Sequence, residues 1–480
     1  MKRPLHGLAL AVLASLASAA CKDGGRGQGG GGQSGEGVGG FGDVAAGGAI
    51  GAGGAHGDGG AGASIVPGSD AGAVDGGDDG AVDGGAPGSW YELAGSATAS
   101  GVSIGSTGCD EPAMALDPQG NPLVAWSGGI GTVSGLRFRR WSGTAWEDLG
   151  GSDSMAATVC TDTLVDGGIG VGVFSDASPL IMCPASPADV KRWTGSAWVG
   201  LTQTAQGTVS AVPGPSNALD RHQHAVLAMN PAGIPTVVWD FQAPLPNNES
   251  YAFLETWAGA GWQALGASAA STGLSGAGSN DYSATAAVGA DGRPYVAWLR
   301  FTSAGNIIMM EHWNGTGWDT LPNAPIATAA RPAKRLLSTA VFANGTPAIA
   351  YAHFVDPTQA TIQSEVLVKV YDGIAWQGLG GSDQSGGVSG QSGSVAGAAV
   401  SADDRGRLLV AWQDHGQIYL RRWTGSGWQE LGGSASGGGV SQCSGACRSP
   451  AVAARGARTC VVWVQEDVAK IHVRCFSDGP

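Results

Sequence analysis

An all-β ring of seven small antiparallel sheets is the fold this sequence predicts, and three observations carry the expectation. The first is a repeat. The pattern W-x-G-x-x-W-x-x-L-G, complete at Trp423-Thr-Gly-Ser-Gly-Trp428-Gln-Glu-Leu-Gly432, recurs intact or degraded from position 90 onward. Its second Trp falls at Trp90, Trp146, Trp198, Trp262, Trp318, Trp376 and Trp428, which are 56, 52, 64, 56, 58 and 52 residues apart by subtraction. The second is a marker between these copies, an apolar run closing on an aromatic, as in Pro122-Leu-Val-Ala-Trp126, Pro294-Tyr-Val-Ala-Trp298 and Thr459-Cys-Val-Val-Trp463. In the second unit Cys183 replaces that aromatic, in Pro179-Leu-Ile-Met-Cys183. The third is a complementarity of the ends. The last copy stops after Val473-Arg-Cys-Phe476 without its second Trp, and the missing piece, Gly88-Ser-Trp90-Tyr-Glu-Leu93, stands at the front of the repeat region.

Taken in order, the chain opens with Lys2 and Arg3 before an apolar run from Leu8 to Ala20. That is the layout of an export signal, and the run is shorter than the ~20 residues a bilayer span needs. Ser18-Ala19-Ala20-Cys21 resembles the lipobox of bacterial lipoproteins, with Ser18 where that family prefers Leu. The resemblance makes Cys21 the expected lipidation site and places the protein at the outer membrane or cell surface; cleavage after Ala19 with secretion is the alternative. Residues 1–21 are thus assigned to the signal. Residues 22–88 are Gly, Ala, Ser and Asp with almost nothing to bury, so a disordered tether is expected. Two Ala-Val-Asp-Gly-Gly copies, at 73–77 and 81–85, lack the regular spacing of calcium-binding nonapeptides and read as spacer.

Residues 89–480 carry the repeat. In the first unit the strand candidates are Ala113–Leu116, Leu123–Trp126, Leu136–Trp141 and Trp146–Leu149, separated by turns such as Asp117-Pro-Gln-Gly120. Four short strands at a period of roughly 40–60 residues are the mark of a β-propeller blade. The first strand of each unit is built of small residues, among them Ala113, Gly170, Ala228, Ala286 and Ala398. That suits the innermost position, where seven strands converge on a channel. The Trp90 strand is expected to pair beside Ile471–Phe476 and close the ring, removing an open sheet edge. On these W-x-G-x-x-W-x-x-L-G-G repeats, residues 89–480 resemble seven-bladed bacterial propellers, with partial similarity to sugar-binding propeller lectins and looser similarity to kelch and sialidase-type blades. The resemblance implies a lectin-like binding protein; a sialidase-like glycoside hydrolase and a structural or adhesive surface element are the alternatives.

With 84 Gly, 13% charged residues and a formal charge of −14, the chain lacks the basic footprint nucleic acids require. No nucleic-acid partner is expected, membrane contact only through a lipid anchor, and a monomer. Eight Cys in an exported chain point to disulfides. Cys460 and Cys475 lie equidistant from the Asp467 turn, Cys443 and Cys447 share one loop, and Cys109 and Cys160 occupy corresponding links of neighbouring units. Those are the expected pairs, Cys460–Cys475 the firmest, with Cys183 left as a buried thiol; the match of Cys447 to Cys109 leaves another pairing of the rest open.

Ligand chemistry is expected where the links break the repeat, just before the small inner strands and so at the channel mouth. The candidates are Asp110, Glu111, Asp220, Arg221, His222, His224, Asn280, Asp281, Arg331 and Arg448. His222 and His224 could share a metal on an extended segment, but no third ligand is identifiable, so a polar loop is the reading adopted and no metal is assigned. Arg221, Arg331 and Arg448 could converge on a carboxylate, as the Arg triad of sialidases does. Against an enzyme, the turns Ser142-Gly-Thr-Ala-Trp146 and Thr424-Gly-Ser-Gly-Trp428 lack the Asp of a sialidase Asp-box. No catalytic residue and no cofactor are assigned: Ser-His-Asp triads, phosphate-binding Gly loops and zinc-type Cys spacing are missing. All 17 Trp lie at marker positions and are assigned to packing.

Overall fold

The computed structural model describes residues 86–478, apart from 99, 131–132, 152–158, 161–167, 184–187, 202–220, 243–248, 271, 277–280, 304, 322–325, 327, 330–336, 355–363 and 391–394. The segment expected to be an export signal, Cys21 and nearly all of the expected tether lie outside these residues. Seven antiparallel sheets make up the body. Blade 1 runs Thr107–Leu116, Pro122–Ile130, Val133–Trp141, Trp146–Asp148, each strand hydrogen-bonded to the next from the channel outwards. Blades 2 to 6 repeat that order with inner strands Gly170–Val173, Arg221–Met229, Asp281–Val288, Leu337–Val341 and Gly397–Ala402. Blade 7 consists of Cys447–Arg455, Arg458–Gln465 and Lys470–Ser477, with Trp90–Tyr91 as its outer strand. Trp90 pairs with Phe476 and Tyr91 with Cys475, so the closing strand lies where the sequence places it. The seven inner strands touch in cyclic order, blade 7 meeting blade 1.

Blades are packed on both faces, which is why their second strands are continuous apolar runs rather than alternating ones. In blade 1, Val124 and Trp126 face blade 7 while Leu123 and Ala125 face blade 2. The core is accordingly divided into seven apolar clusters, one at each joint between blades. The marker aromatics Trp126, Trp239, Trp298, Tyr351, Trp412 and Trp463, at most 3% exposed, all point at the preceding blade. They are core, not a sugar platform.

The repeat motif forms the outer half of each joint. Its two aromatics pair across the third and fourth strands, as in Trp141–Trp146 at 5.6 Å and Trp423–Trp428 at 5.7 Å. The second Trp also donates its indole N–H to the carbonyl of the motif Leu in the preceding blade. Trp90 does so to Leu431 (2.6 Å), Trp146 to Leu93 (2.9 Å), Trp198 to Leu149 (3.0 Å), Trp318 to Leu265 (2.7 Å) and Trp428 to Leu379 (2.8 Å). Trp262 and Trp376 make no such bond.

Three disulfides form among the described residues. Cys460–Cys475 and Cys443–Cys447 match the expectation, with Cα atoms 4.1 and 6.3 Å apart. The expected Cys109–Cys160 pair is corrected: Cys160 bridges Cys183, with Cα atoms 6.0 Å apart. Corresponding links of neighbouring blades face different joints. Cys109 is buried between blades 7 and 1, whereas Cys160, held to Leu136 by backbone hydrogen bonds, lies between blades 1 and 2. Cys183 is therefore not a free thiol. It stands where other blades carry the marker aromatic, and its bridge to the link occupies the same joint. The disulfides mark an exported protein, since such bonds persist in oxidising compartments. No helix among the described residues is long and apolar enough to cross a membrane.

Candidate binding site at the channel mouth

Each inner strand begins at one end of the channel, the upper mouth, where the links and the turns between second and third strands also lie. In several blades the strand does not enter the channel smoothly. Pairing register shifts between Asp110 and Ala113, His222 and His224, Tyr282 and Thr285, and Arg448 and Ala451. Glu111, Ser283 and Ser449 take up the extra residue with φ of 52°, 54° and 53°, the left-handed region that costs a side-chain-bearing residue about 1–2 kcal/mol. Such bulges re-aim side chains at strand ends. The amides they release find local acceptors: Glu111 N donates to Asp110 Oδ1 at 2.7 Å and Ser283 N to Asp240 Oδ2 at 2.6 Å.

At the joint of blades 7 and 1 the bulges bring Asp110 and Arg448 together. Arg448 Nη1 donates to Asp110 Oδ1, and its Nε pairs with Glu466 Oε1 at 2.7 Å. Burial works against the guanidinium, but Asp110, Glu466 and Glu111 more than offset it and hold Arg448 firmly protonated. Arg448 therefore presents a guanidinium already occupied by carboxylates rather than one waiting for an anion.

Asp281 belongs to a second arrangement in blade 4. Its carboxylate is fully buried and accepts from Arg300 Nε at 2.9 Å and Nη2 at 3.0 Å, while Nη2 also donates to the Ser275 carbonyl at 3.0 Å. Burial pushes the Asp281 carboxyl up, against the pull of Arg300. A buried charge is tolerated here because it is paired bidentately.

Of the other candidates, Asp220, Asn280 and Arg331 lie outside the described residues. Arg221, His222 and His224 belong to the strand Arg221–Met229, opposite Gln242, Phe241 and Asp240, and their side chains lie outside the description. Thus Asp110, Glu111 and Arg448 come together, and Asp281 does not join them through any described contact. Sequence reasoning missed Glu466, which follows a core strand, and Arg300, whose position two residues after the marker Trp298 held the available signal.

Below the mouth lies a chamber of about 370 Å3. Glu111, Ser449, Gln413, Ser338 and Thr285 supply side-chain polarity to its wall. Met114, Val171, Leu227, Val400 and Val452 line both this chamber and a lower one of about 640 Å3, so they form an aliphatic waist between the two. Two of the hydroxyls are committed: Ser338 Oγ accepts from Val400 N at 3.1 Å, and Thr285 Oγ1 pairs with Thr339 Oγ1 at 3.1 Å. No cluster of three or more His, Cys, Asp or Glu suited to a metal occurs among the described residues.

No protein-family model and no curated protein matches the sequence. Solved structures with a similar arrangement exist. The β-propeller domain of the Trilobed protease from Pyrococcus furiosus aligns at 7% identity and a TM-score of 0.40, covering 80% of this chain and 97% of that one. An α-L-arabinanase of Penicillium chrysogenum, in complex with arabinobiose, aligns at 12% identity and a TM-score of 0.40 over 77% and 93% of the two chains. A protein of unknown function from Dyadobacter fermentans aligns at 11% identity and a TM-score of 0.35 over 76% and 93%. At this degree of likeness they bear on neither ligand nor reaction.

Proposed function

We propose that this protein is a cell-surface or secreted, non-catalytic binding propeller that takes a carbohydrate or an extracellular protein ligand at the upper mouth of its channel. The observation that carries the reading is the upper chamber itself. It has the size of a small-ligand site, which typically occupies ~300–1,000 Å3, and it combines a polar rim with an apolar floor. Two of its rim residues, Glu111 and Ser449, are held in costly left-handed backbone. Strain of that kind persists where the surrounding structure over-determines it and clusters at sites of use.

The test is a glycan array together with binding assays against candidate surface proteins, using the exported full chain and a Val400→Phe variant that fills the chamber floor. Ligand binding lost in the variant supports the mouth as the site. Binding that survives the filled chamber would move the site elsewhere, and turnover of a bound glycan would overturn the non-catalytic half of the proposal.

A further inference from the structure

We infer that the joint between blades 3 and 4 binds a hard divalent cation of the calcium kind, held by the Glu311 carboxylate together with the Leu274 carbonyl and the Thr320 hydroxyl. The site lies outside the channel and does not depend on the ligand proposed for its mouth.

A device that ties third strands together recurs around the ring. The aliphatic residue of a link donates its N–H to the third strand of the blade it leaves, and its carbonyl accepts from a basic side chain on the third strand of the blade it enters. Val440 N is bonded to Ile418 O at 2.7 Å, and Val440 O accepts from Arg474 Nη1 at 3.0 Å. Val388 joins Val366 O at 2.7 Å to Arg421 Nη1 at 3.0 Å, and Ile326 joins Ile308 O at 2.9 Å to Lys369 Nζ at 3.2 Å. Val159 does the same between Leu136 O at 3.2 Å and Lys191 Nζ at 2.9 Å. Each of these basic residues stands two before the first aromatic of its motif, Trp193, Tyr371, Trp423 or Phe476. In four joints, then, a positive charge sits against the link carbonyl.

The joint of blades 3 and 4 keeps the link and reverses the charge. Leu274 N is bonded to Ala252 O at 2.8 Å, and Ser275 Oγ accepts from Ala252 N at 2.8 Å, as Ser441 Oγ accepts from Ile418 N at 2.9 Å. The Leu274 carbonyl is thus presented to blade 4 as the Val440 carbonyl is to blade 7. Two before Trp313, however, stands Glu311. On its strand, Gly305–Trp313, Met309 packs with Leu274 and Trp318 in this joint, and strand alternation puts Glu311 on the same face. Leu367 and Lys369 stand in that relation to Ile326 one joint further on. A carboxylate therefore faces a carbonyl, and two acceptors need a cation between them.

No side chain among the described residues supplies that cation. The Glu311 carboxylate has one hydrogen-bond donor, Thr320 Oγ1 at 3.4 Å, and its charged neighbours are Arg300 and Asp281. Arg300 is spent on the two oxygens of Asp281 and on the Ser275 carbonyl. Burial pushes the Glu311 carboxyl up, as expected of a carboxylate desolvated without a close counter-ion. Glu255 holds the corresponding place in blade 3, but most of the link it would face lies outside the described residues.

Carboxylate, carbonyl and hydroxyl oxygens are the donors that hard cations take, and calcium completes its six to eight ligands with water where a protein offers fewer. A divalent ion on one carboxylate also leaves one net positive charge against the link, the charge that Arg or Lys supplies elsewhere in the ring. One acid among neutral oxygens is not a cluster of titratable ligands. Its signal is a break in the basic position of the repeat.

The test is unfolding of the disulfide-intact full chain in choline chloride, with calcium chloride raised to about 10 mM at constant ionic strength, enough to fill a site of roughly 0.1–1 mM affinity. Calcium should raise the folded-to-unfolded ratio of the native chain about tenfold to a hundredfold. Glu311→Lys gives blade 4 the ammonium of blades 2 and 5 and should be as stable without calcium as the native chain is with it. Glu311→Gln should likewise ignore calcium. Terbium luminescence sensitised by Trp313 and Trp318 should appear with the native chain, yield to calcium and fall in both variants. No calcium response in the native chain overturns the site without any variant having to fold. A response kept by both variants puts the ion elsewhere and overturns it too. Sodium or potassium chloride matching calcium at equal ionic strength overturns the divalent ion. A native chain that ignores calcium yet gains stability over Glu311→Gln on acidification puts a proton, not a metal, between the two oxygens.

Discussion

Gly380 follows the motif Leu379 with φ +60°, and a Cβ there would sit 2.3 Å from the Trp423 ring of the next blade. Gly150, Gly266 and Gly432 hold the same place with positive φ against the aromatics of their following blades, and Ala94 takes φ 49° at the equivalent position of the closing strand. At the two joints where the indole bond is missing, the residue after the motif Leu is Thr202 or Pro322. β-Branched Thr strongly disfavours positive φ, and the ring of Pro fixes φ near −65°. A positive φ after the motif Leu, which Gly adopts most readily and Ala94 adopts behind the closing strand, is therefore what lets one blade's Leu carbonyl meet the next blade's indole. Trp146→Phe should lose its bond to Leu93 as well as ring volume, whereas Trp262→Phe loses volume alone. Chemical denaturation should show the first variant less stable than the second by about 1 kcal/mol; equal losses would mean the indole bond contributes nothing. The motif read from sequence ended at L-G-G and overlooked the Ser that follows. Ser434 Oγ accepts from Leu431 N and donates to Leu420 O, and Ser96 and Ser268 do likewise, tying the fourth strand's end to the third. A lone Ser in a Gly-rich link looks like spacer until the strands on either side are placed.

Within single blades, strand order was legible because hydrophobic runs and turn residues repeat, but strand length was not: the runs Ala113–Leu116 and Leu123–Trp126 are parts of the longer strands Thr107–Leu116 and Pro122–Ile130. What also failed was the step between blades. Cys109 and Cys160 match by repeat position, yet equivalent links need not turn to one joint: Cys109 is buried between blades 7 and 1 and Cys160 between blades 1 and 2. Cys160 itself is bridged to Leu136 of blade 1 and meets Cys183 in the joint with blade 2. Peptide mapping without reduction should recover Cys160 joined to Cys183, Cys443 to Cys447 and Cys460 to Cys475. A Cys109–Cys160 peptide would reverse the correction. A different limit, inside blade 4, hid Arg300 from Asp281. Their pairing depends on a register that shifts between Tyr282 and Thr285, which residue counting does not anticipate. Asp110 and Arg448 stand at equivalent positions of blades 1 and 7, and ring closure alone makes those blades neighbours.

At the scale of the ring, the closing blade contains a buried imidazole. His472 is 2% exposed and stacks on Trp463 at 5.9 Å. Gly101 of the N-terminal segment crosses so closely that a Cβ would lie 2.0 Å from Ile471 O and 3.3 Å from His472 Cδ2. Burial lowers the pKa of His472 below the ordinary 6.5, with the Ala97 backbone, Glu92 and Asp467 opposing the shift and Arg474 reinforcing it. Below that value the unfolded chain binds a proton that the folded ring excludes. Stability is therefore fully present above about pH 6.5 and is lost as pH falls through the lowered folded value. His312, also shifted down by burial, acts with the same sign in blade 4. Melting temperatures measured from about pH 7 to about pH 5 should fall for the native chain and fall less for His472→Leu. Parallel curves would show that the imidazole is not what titrates.

The closing strand has a mechanical consequence. Any tension on the chain that precedes residue 86 enters the ring at the outer edge of blade 7, where only Trp90 and Tyr91 pair with the neighbouring strand. Two ladder residues would peel easily if they bore the load alone. They do not: Gly88 N is bonded to Ser477 O at 2.8 Å, Trp90 to Leu431 O of blade 6, Ser96 Oγ to Val473 O at 2.7 Å and Val102 N to Ile471 O at 2.9 Å. Behind them, the partner strand's end is held by Asp478, which accepts from Arg407 and from Arg422 Nη1 at 2.6 Å. A pull on the N-terminal side is thus shared between two blades and fifteen residues of chain, from Gly88 to Val102, before it reaches the inner strands. The clasp resists by shear spread along its length, and the channel behind it is insulated from the force.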